Sequence, residues 1–186
     1  IPPLAEFVMA LQTFRNRVPD QRKPFVVSIC ELKAGMTYNV IPGEAGFKGT
    51  ARTLEPRERA MAREGIERAC AGVAAAHGLE HRCTWIEGYP PLTNDARATE
   101  TARRAAVAVL GEAAVTTMTV PSMGGEDFAY YLAEVPGCFW FLNTQAPANG
   151  TIHPNHHPRF DIDESLLGRL ARVNMAAAAA LAKEYA

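Results

Sequence analysis

The chain has little that would bind it to a charged polymer or a bilayer. Nineteen Lys and Arg stand against 20 Asp and Glu, a formal net charge of −1 over 186 residues. A nucleic-acid binder carries a basic stripe, and none is visible, so no nucleic-acid partner is expected. No stretch approaches the roughly 20 apolar residues of a membrane span. The "AAAAALA" run is short and tipped by Lys183 and Glu184, so no membrane partner is expected either. Cys30, Cys70, Cys83 and Cys138 form no CxxC pair and have mostly apolar neighbours. They read as buried reduced thiols in a cytoplasmic protein. Ser28, Ser122 and Ser165 lie in no GxSxG elbow, and there is no GxGxxG or P-loop. An initiator Met and a cationic leader are also missing from "IPPLAEF". A chain that starts this way reads as processed, trimmed, or a piece of something larger.

What is present suits one large domain or two small ones, since 48% of the residues are hydrophobic. Leu4, Phe7, Val8, Leu11 and Phe14 recur at helical spacing, predicting a helix over 3–16 with Pro3 in its first turn. "VPDQRKP" (18–24) is expected as a loop. Strands are expected over 25–35 and within 39–54, the second interrupted by Pro42 and Gly43. A second amphipathic helix runs from Pro56 to His77, with Gly78 just past its end. "EHRCTWIEG" (80–88) alternates like a half-buried strand. "YPPLTND" (89–95) is the best boundary, giving domains 1–88 and 89–186. Beyond it come helix 96–111, strand 115–120, helix 127–134, strand 138–143 and helix 164–185. The order is that of an α/β protein, its first block resembling a ferredoxin-like α+β sandwich without its first strand.

Three stretches could carry chemistry. "HPNHHPRF" packs His153, His156 and His157 into five residues, with Asp161 and Asp163 close behind. A metal ligand needs an unprotonated imidazole nitrogen, usually with a carboxylate or carbonyl orienting the ring. The HExxH spacing is absent, so one ligand and a solvated loop are both open. In "PSMGGEDFAYY", Gly124 and Gly125 either admit a substrate oxygen to backbone N–H groups, or simply lead into a helix capped by Glu126 or Asp127. In "YNVIPGEAGFKGTART", Asn39 either binds a carboxylate or closes a turn.

Taken together and in order, "AGMTYNVIPGEAGFKGTART", "MGGEDFAYYLAEVPGCFWFLN" and "HHPRFDIDE" resemble the M20 family of metal-dependent amidohydrolases. The similar branch contains hippurate hydrolases, N-acyl-amino-acid amidohydrolases and auxin-conjugate hydrolases. The resemblance runs from "IPPLAEFVMALQT" to the C-terminal helix.

It implies a two-domain enzyme, with an α/β catalytic domain holding two divalent cations (Zn, Mn, Co or Ni left open) and an inserted lid that makes homodimer contacts. Residues 1–88 look like that lid without its first strand, and 89–186 like the closing part of the catalytic domain. The family's last metal ligand maps to His156, two positions before Pro158, with His157 beside it. Asn39 maps to a contact for the carboxylate of an N-acyl amino acid substrate. Gly124 and Gly125 map to the substrate, and Glu126 and Asp127 to supporting roles. The other ligands and the general-base Glu are expected upstream of Ile1, so no catalytic residue is assigned in this chain, and alone it should not hydrolyse anything. The alternative is a non-catalytic dimerisation or ligand-binding module derived from the same family.

Overall fold

The computed structural model describes residues 1–17, 20, 22–144 and 152–186. Val18, Pro19 and Gln21 of the expected 18–24 loop fall outside these. The chain divides into two compact units, Ile1–Pro91 with Ser122–Glu126, and Leu92–Pro121 with Asp127–Ala186. Helices predominate, with one small antiparallel sheet among the described residues.

The first unit contains helix α1 (Pro2–Asn16), strands β1 (Phe25–Ala34) and β2 (Ala45–Thr53), and helix α2 (Pro56–Ala76). Strands β1 and β2 pair from Phe25 opposite Thr53 to Ala34 opposite Ala45. The register shifts between Ile29 and Glu31, leaving Cys30 as the extra residue of a bulge. That explains why Cys30 is exposed rather than buried; Cys70, Cys83 and Cys138 are half-buried. The core is Phe7 and Leu11 from α1, Val27 from β1, and Ala62, Ile66 and Val73 from α2. The Phe7 and Phe47 rings meet at 4.3 Å, so α1 lies on the sheet through aromatic contact. Gly65 looks out of place inside α2, but a Cβ there would run into the Phe14 ring. Pro56 opens α2, and Gly78, at φ +63°, ends it, with the Leu79 N–H returning to Ala74 O at 2.9 Å. Lys23 Nζ bonds both Glu55 (2.8 Å) and buried Glu58 (3.0 Å). This bond holds the Glu58 carboxyl below its usual range.

Segment 80–88 does alternate, with Cys83 and Trp85 half-buried against the core and Ile86 exposed. It is not a strand, because no neighbouring strand pairs with it among the described residues. Side chains fix it instead: Arg59 donates to Glu87 (3.2 Å) and to Tyr89 O (2.7 Å).

In the second unit, α3 (Ala96–Leu110) packs along α5 (Leu167–Glu184). Ala98, Ala102 and Ala106 of α3 are buried at every fourth position, and so are Val173 and Ala177 of α5. Small side chains at this spacing let two helices approach closely. Asp95 caps α3 by accepting the Ala98 N–H (2.7 Å) and also accepts the Tyr185 hydroxyl (2.9 Å). Arg97 pairs with Glu184 and lies 5.2 Å over the Tyr185 ring. The start of α3 therefore meets the end of α5, and the pair runs antiparallel.

The expected strands 115–120 and 138–143 are likewise unpaired among the described residues. Asn94 does for 138–143 part of what a strand would do. Its Oδ1 accepts Phe139 N–H and its Nδ2 donates to Phe139 O, both at 2.8 Å. The Phe139 ring then meets the Phe128 ring of α4 (Phe128–Glu134) at a tilt, with centroids 5.7 Å apart.

Candidate functional site

Asn39 lies in the exposed 35–44 connection between β1 and β2, well ahead of the first β2 residue. Gly35 turns the chain at φ +78°. Thr37 Oγ1 donates to Asn39 Oδ1 at 3.2 Å. That bond holds the amide oxygen and leaves the donor half, Nδ2, without a hydrogen bond among the described residues, which suits a carboxylate acceptor. Met36, Tyr38 and Ile41 beside it are almost fully exposed.

Gly124 and Gly125 belong to the short Ser122–Glu126 segment of the first unit, and Asp127 starts the second. Neither glycine has a positive φ, so backbone freedom is not why they are glycine. A Cβ at Gly125 would sit 3.4 Å from the Tyr89 ring, in ordinary contact, so the local packing does not demand glycine there either. The Gly124 N–H donates to Ser122 Oγ at 3.2 Å, while Arg52 Nη1 donates to Met123 O at 2.8 Å. Asp127 is the N-cap residue of α4 but makes no side-chain capping bond, so the simple capping reading is not realised by Asp127. Arg52 braces this loop, Tyr89 lies beside Gly125, and neither residue stands out in the sequence. Arg52 sits in "GTART", but its long-range partner leaves no trace in spacing.

The histidine loop is exposed apart from half-buried His153. His156 stands at φ +70°, the one non-glycine residue with positive φ among those described. This conformation costs a residue with a Cβ free energy, and such strain concentrates at functional positions. His157 Nδ1 accepts the Arg159 N–H at 3.0 Å. The His153 and His157 rings stack at 4.2 Å with 4° between planes. Backbone bonds run from His157 N to Pro154 O (3.1 Å) and from Phe160 N to His157 O (2.9 Å). Asp161 Oδ1 accepts the Ile162 N–H and Asp163 Oδ1 the Ser165 N–H, each at 2.9 Å. Both carboxylates shape the chain leading into α5, and the bonds from Ser165 hold the Asp163 carboxyl below its usual range.

Asn39, Gly124, Gly125 and Glu126 thus sit in the first unit, and Asp127, His156 and His157 in the second. Among the described residues no group of three or more His, Cys, Asp and Glu could hold a metal ion. His156 offers a single donor, which fits one position of a metal shell and no more. Several other metal-type side chains are engaged elsewhere. His77 pairs with Glu6 at 2.7 Å, and burial pushes the Cys70, Cys83 and Cys138 thiols up, away from thiolate chemistry. No described helix is long and apolar enough to cross a membrane.

Comparison with known proteins extends the picture. Residues 11–180 match peptidase family M20/M25/M40. The chain is 36% identical over 170 residues to N-acetylcysteine deacetylase of Bacillus subtilis, covering 90% of this chain and 43% of that protein. It is 31% identical over 170 residues to thermostable carboxypeptidase 1 of Saccharolobus solfataricus, covering 90% and 42%. Among solved structures, the Bacillus subtilis YXEP protein, described as a dinuclear metal-binding peptidase of family M20, aligns with a TM-score of 0.73 at 33% identity. That alignment covers 100% of this chain and 46% of that one. The chain therefore spans less than half the length of these relatives.

Proposed function

The chain belongs to peptidase family M20/M25/M40, and on that premise we propose that the full-length protein hydrolyses the amide bond of N-acyl amino acids at a dinuclear metal site. N-acetyl amino acids and hippurate-like compounds are the substrate class. The likeness to an N-acetylcysteine deacetylase supports this reading. The observation on this chain that carries it is the exposed imidazole of His156, held at a left-handed φ of +70° on a tightly bonded turn.

In this proposal His156 supplies one ligand, and residues outside this chain supply the others together with the general base. Divalent ions, when bound, polarise a carbonyl and bring the pKa of bound water to about 7. A mixed nitrogen and oxygen shell accepts Zn, Mn, Co or Ni. Asn39 Nδ2 donates to the substrate carboxylate. Gly124 and Gly125 allow the substrate close to the backbone, Glu126 and Asp127 support that loop, and His157 supports His156. Residues 1–88 serve as lid and homodimer contact, completed by a strand from outside this chain. Residues 89–186 close the catalytic domain. The compartment is the cytoplasm, in keeping with four unpaired cysteines.

The test is hydrolysis of N-acetyl amino acids and hippurate by the full-length protein. Activity should vanish with a chelator and return with added metal, and residues 1–186 alone should show none. Metal-loaded full-length protein that binds these compounds without cleaving them would leave the non-catalytic module.

A further inference from the structure

We propose that His157 is the positioning residue of the histidine loop, shaping the turn that presents His156, and is not itself a ligand. This rests on the reading of His156 as a metal ligand. Three groups of His157 are tied within the loop: its N–H to Pro154 O, its C=O to Phe160 N, and its ring nitrogen Nδ1 to Arg159 N. The last bond is the imidazole counterpart of an Asx turn. Nδ1 occupies the place of Asn Oδ1, one bond beyond Cγ, and closes on the backbone two residues ahead. Asp163 makes the same closure with Ser165 a few residues later.

The bond also settles what the ring can offer. With Nδ1 accepting, a neutral imidazole carries its proton on Nε2. A metal ligand must present an unprotonated nitrogen, so neither His157 nitrogen is open to an ion. The ring is fixed in plane by its stack on His153, 4.2 Å away and only 4° from parallel. His156 is the adjacent residue, and its φ of +70° is unfavourable unless the surrounding turn enforces it. The bonds of His157 are what enforce it.

The experiment is Zn²⁺ binding to the full-length protein, by competition with a chromogenic chelator, for wild type, His156→Ala, His157→Leu and His157→Asn. Leucine keeps bulk but removes the acceptor, whereas asparagine keeps an acceptor at the same position. His157→Leu should weaken one zinc equivalent by about 10–100-fold, the usual effect of losing a group that orients a ligand, and excess zinc should restore the stoichiometry. His157→Asn should bind zinc like wild type. If His157→Leu does not fold, His157→Gln replaces it, since its amide lies one carbon too far to close the turn. Wild-type binding by His157→Leu, or an equally weak His157→Asn, overturns the proposal. So does a zinc equivalent that excess metal cannot restore in both His157 variants, which would make His157 a ligand. Should His156→Ala instead keep every zinc equivalent, it is the ligand reading of His156 that fails.

Discussion

The first unit joins its elements through rings, Phe7 of α1 on Phe47 of the β-hairpin and Phe14 of α1 against Gly65 of α2. In the second unit two helices meet along alanines, and their ends are fastened by the polar cluster of Asp95, Arg97, Glu184 and Tyr185. The first arrangement depends on shape, because a large ring needs a matching hole. The second depends on the absence of bulk along the seam and on hydrogen bonds at one end. Sequence changes that look alike should therefore act differently in the two units.

Gly65→Ala breaks the comparison most sharply. On an exposed helix surface the exchange would gain up to about 1 kcal/mol from helix propensity. Here the new methyl meets the Phe14 ring, and overpacking of this kind costs about 1–3 kcal/mol. We expect a net loss, read as faster amide hydrogen exchange in α1 and α2 of the full-length protein with α3 and α5 unchanged. Slower exchange would mean that Phe14 does not depend on the gap.

A smaller effect is expected at the polar latch. The Ala98 N–H, and after it the Tyr185 hydroxyl, hold the Asp95 carboxyl below its ordinary value of 3.8. A carboxyl lowered in the folded state contributes stability above its ordinary pKa, and that contribution is lost as pH falls through the folded value. Thermal melting from about pH 5 down to about pH 3 should thus weaken the α3–α5 pair in wild type. Asp95→Asn, which can still accept the capping N–H but does not titrate, should show a flatter pH dependence. Identical slopes in the two proteins would remove the latch from the account.

Helices were the legible part of the fold. The expected helix 3–16 corresponds to Pro2–Asn16, and Pro56 and Gly78 bracket α2 as the sequence suggests. A 3.6-residue apolar period reports a property of one segment, so it can be read without a partner. Strands are different. Residues 25–34 found their partner in 45–53, while 80–88 kept its alternation without one. Period-two patterning reveals an extended chain and its inward face, but pairing depends on another segment.

The candidate site divides in the same way. Residue types drew attention to the histidine cluster, Asn39 and the glycine pair, and it was the resemblance to the M20 family that singled out His156 and gave Asn39 a role. The left-handed φ of His156, the Nδ1 bond of His157 and the bracing of Met123 by Arg52 depend on backbone course and distant contacts. Asp127 shows the limit of a local rule, standing at the N-cap of α4 without making the side-chain bond that the position invites.

The central claim, that this chain contributes one metal ligand from the histidine loop, is tested most directly by His156→Ala in the full-length protein. Metal content and turnover of an N-acyl amino acid should be measured on the same sample. The account predicts loss of one metal equivalent at any added metal concentration, with turnover reduced by at least about 100-fold, the upper range for disturbing an orienting group alone. Full metal content and wild-type turnover would contradict it.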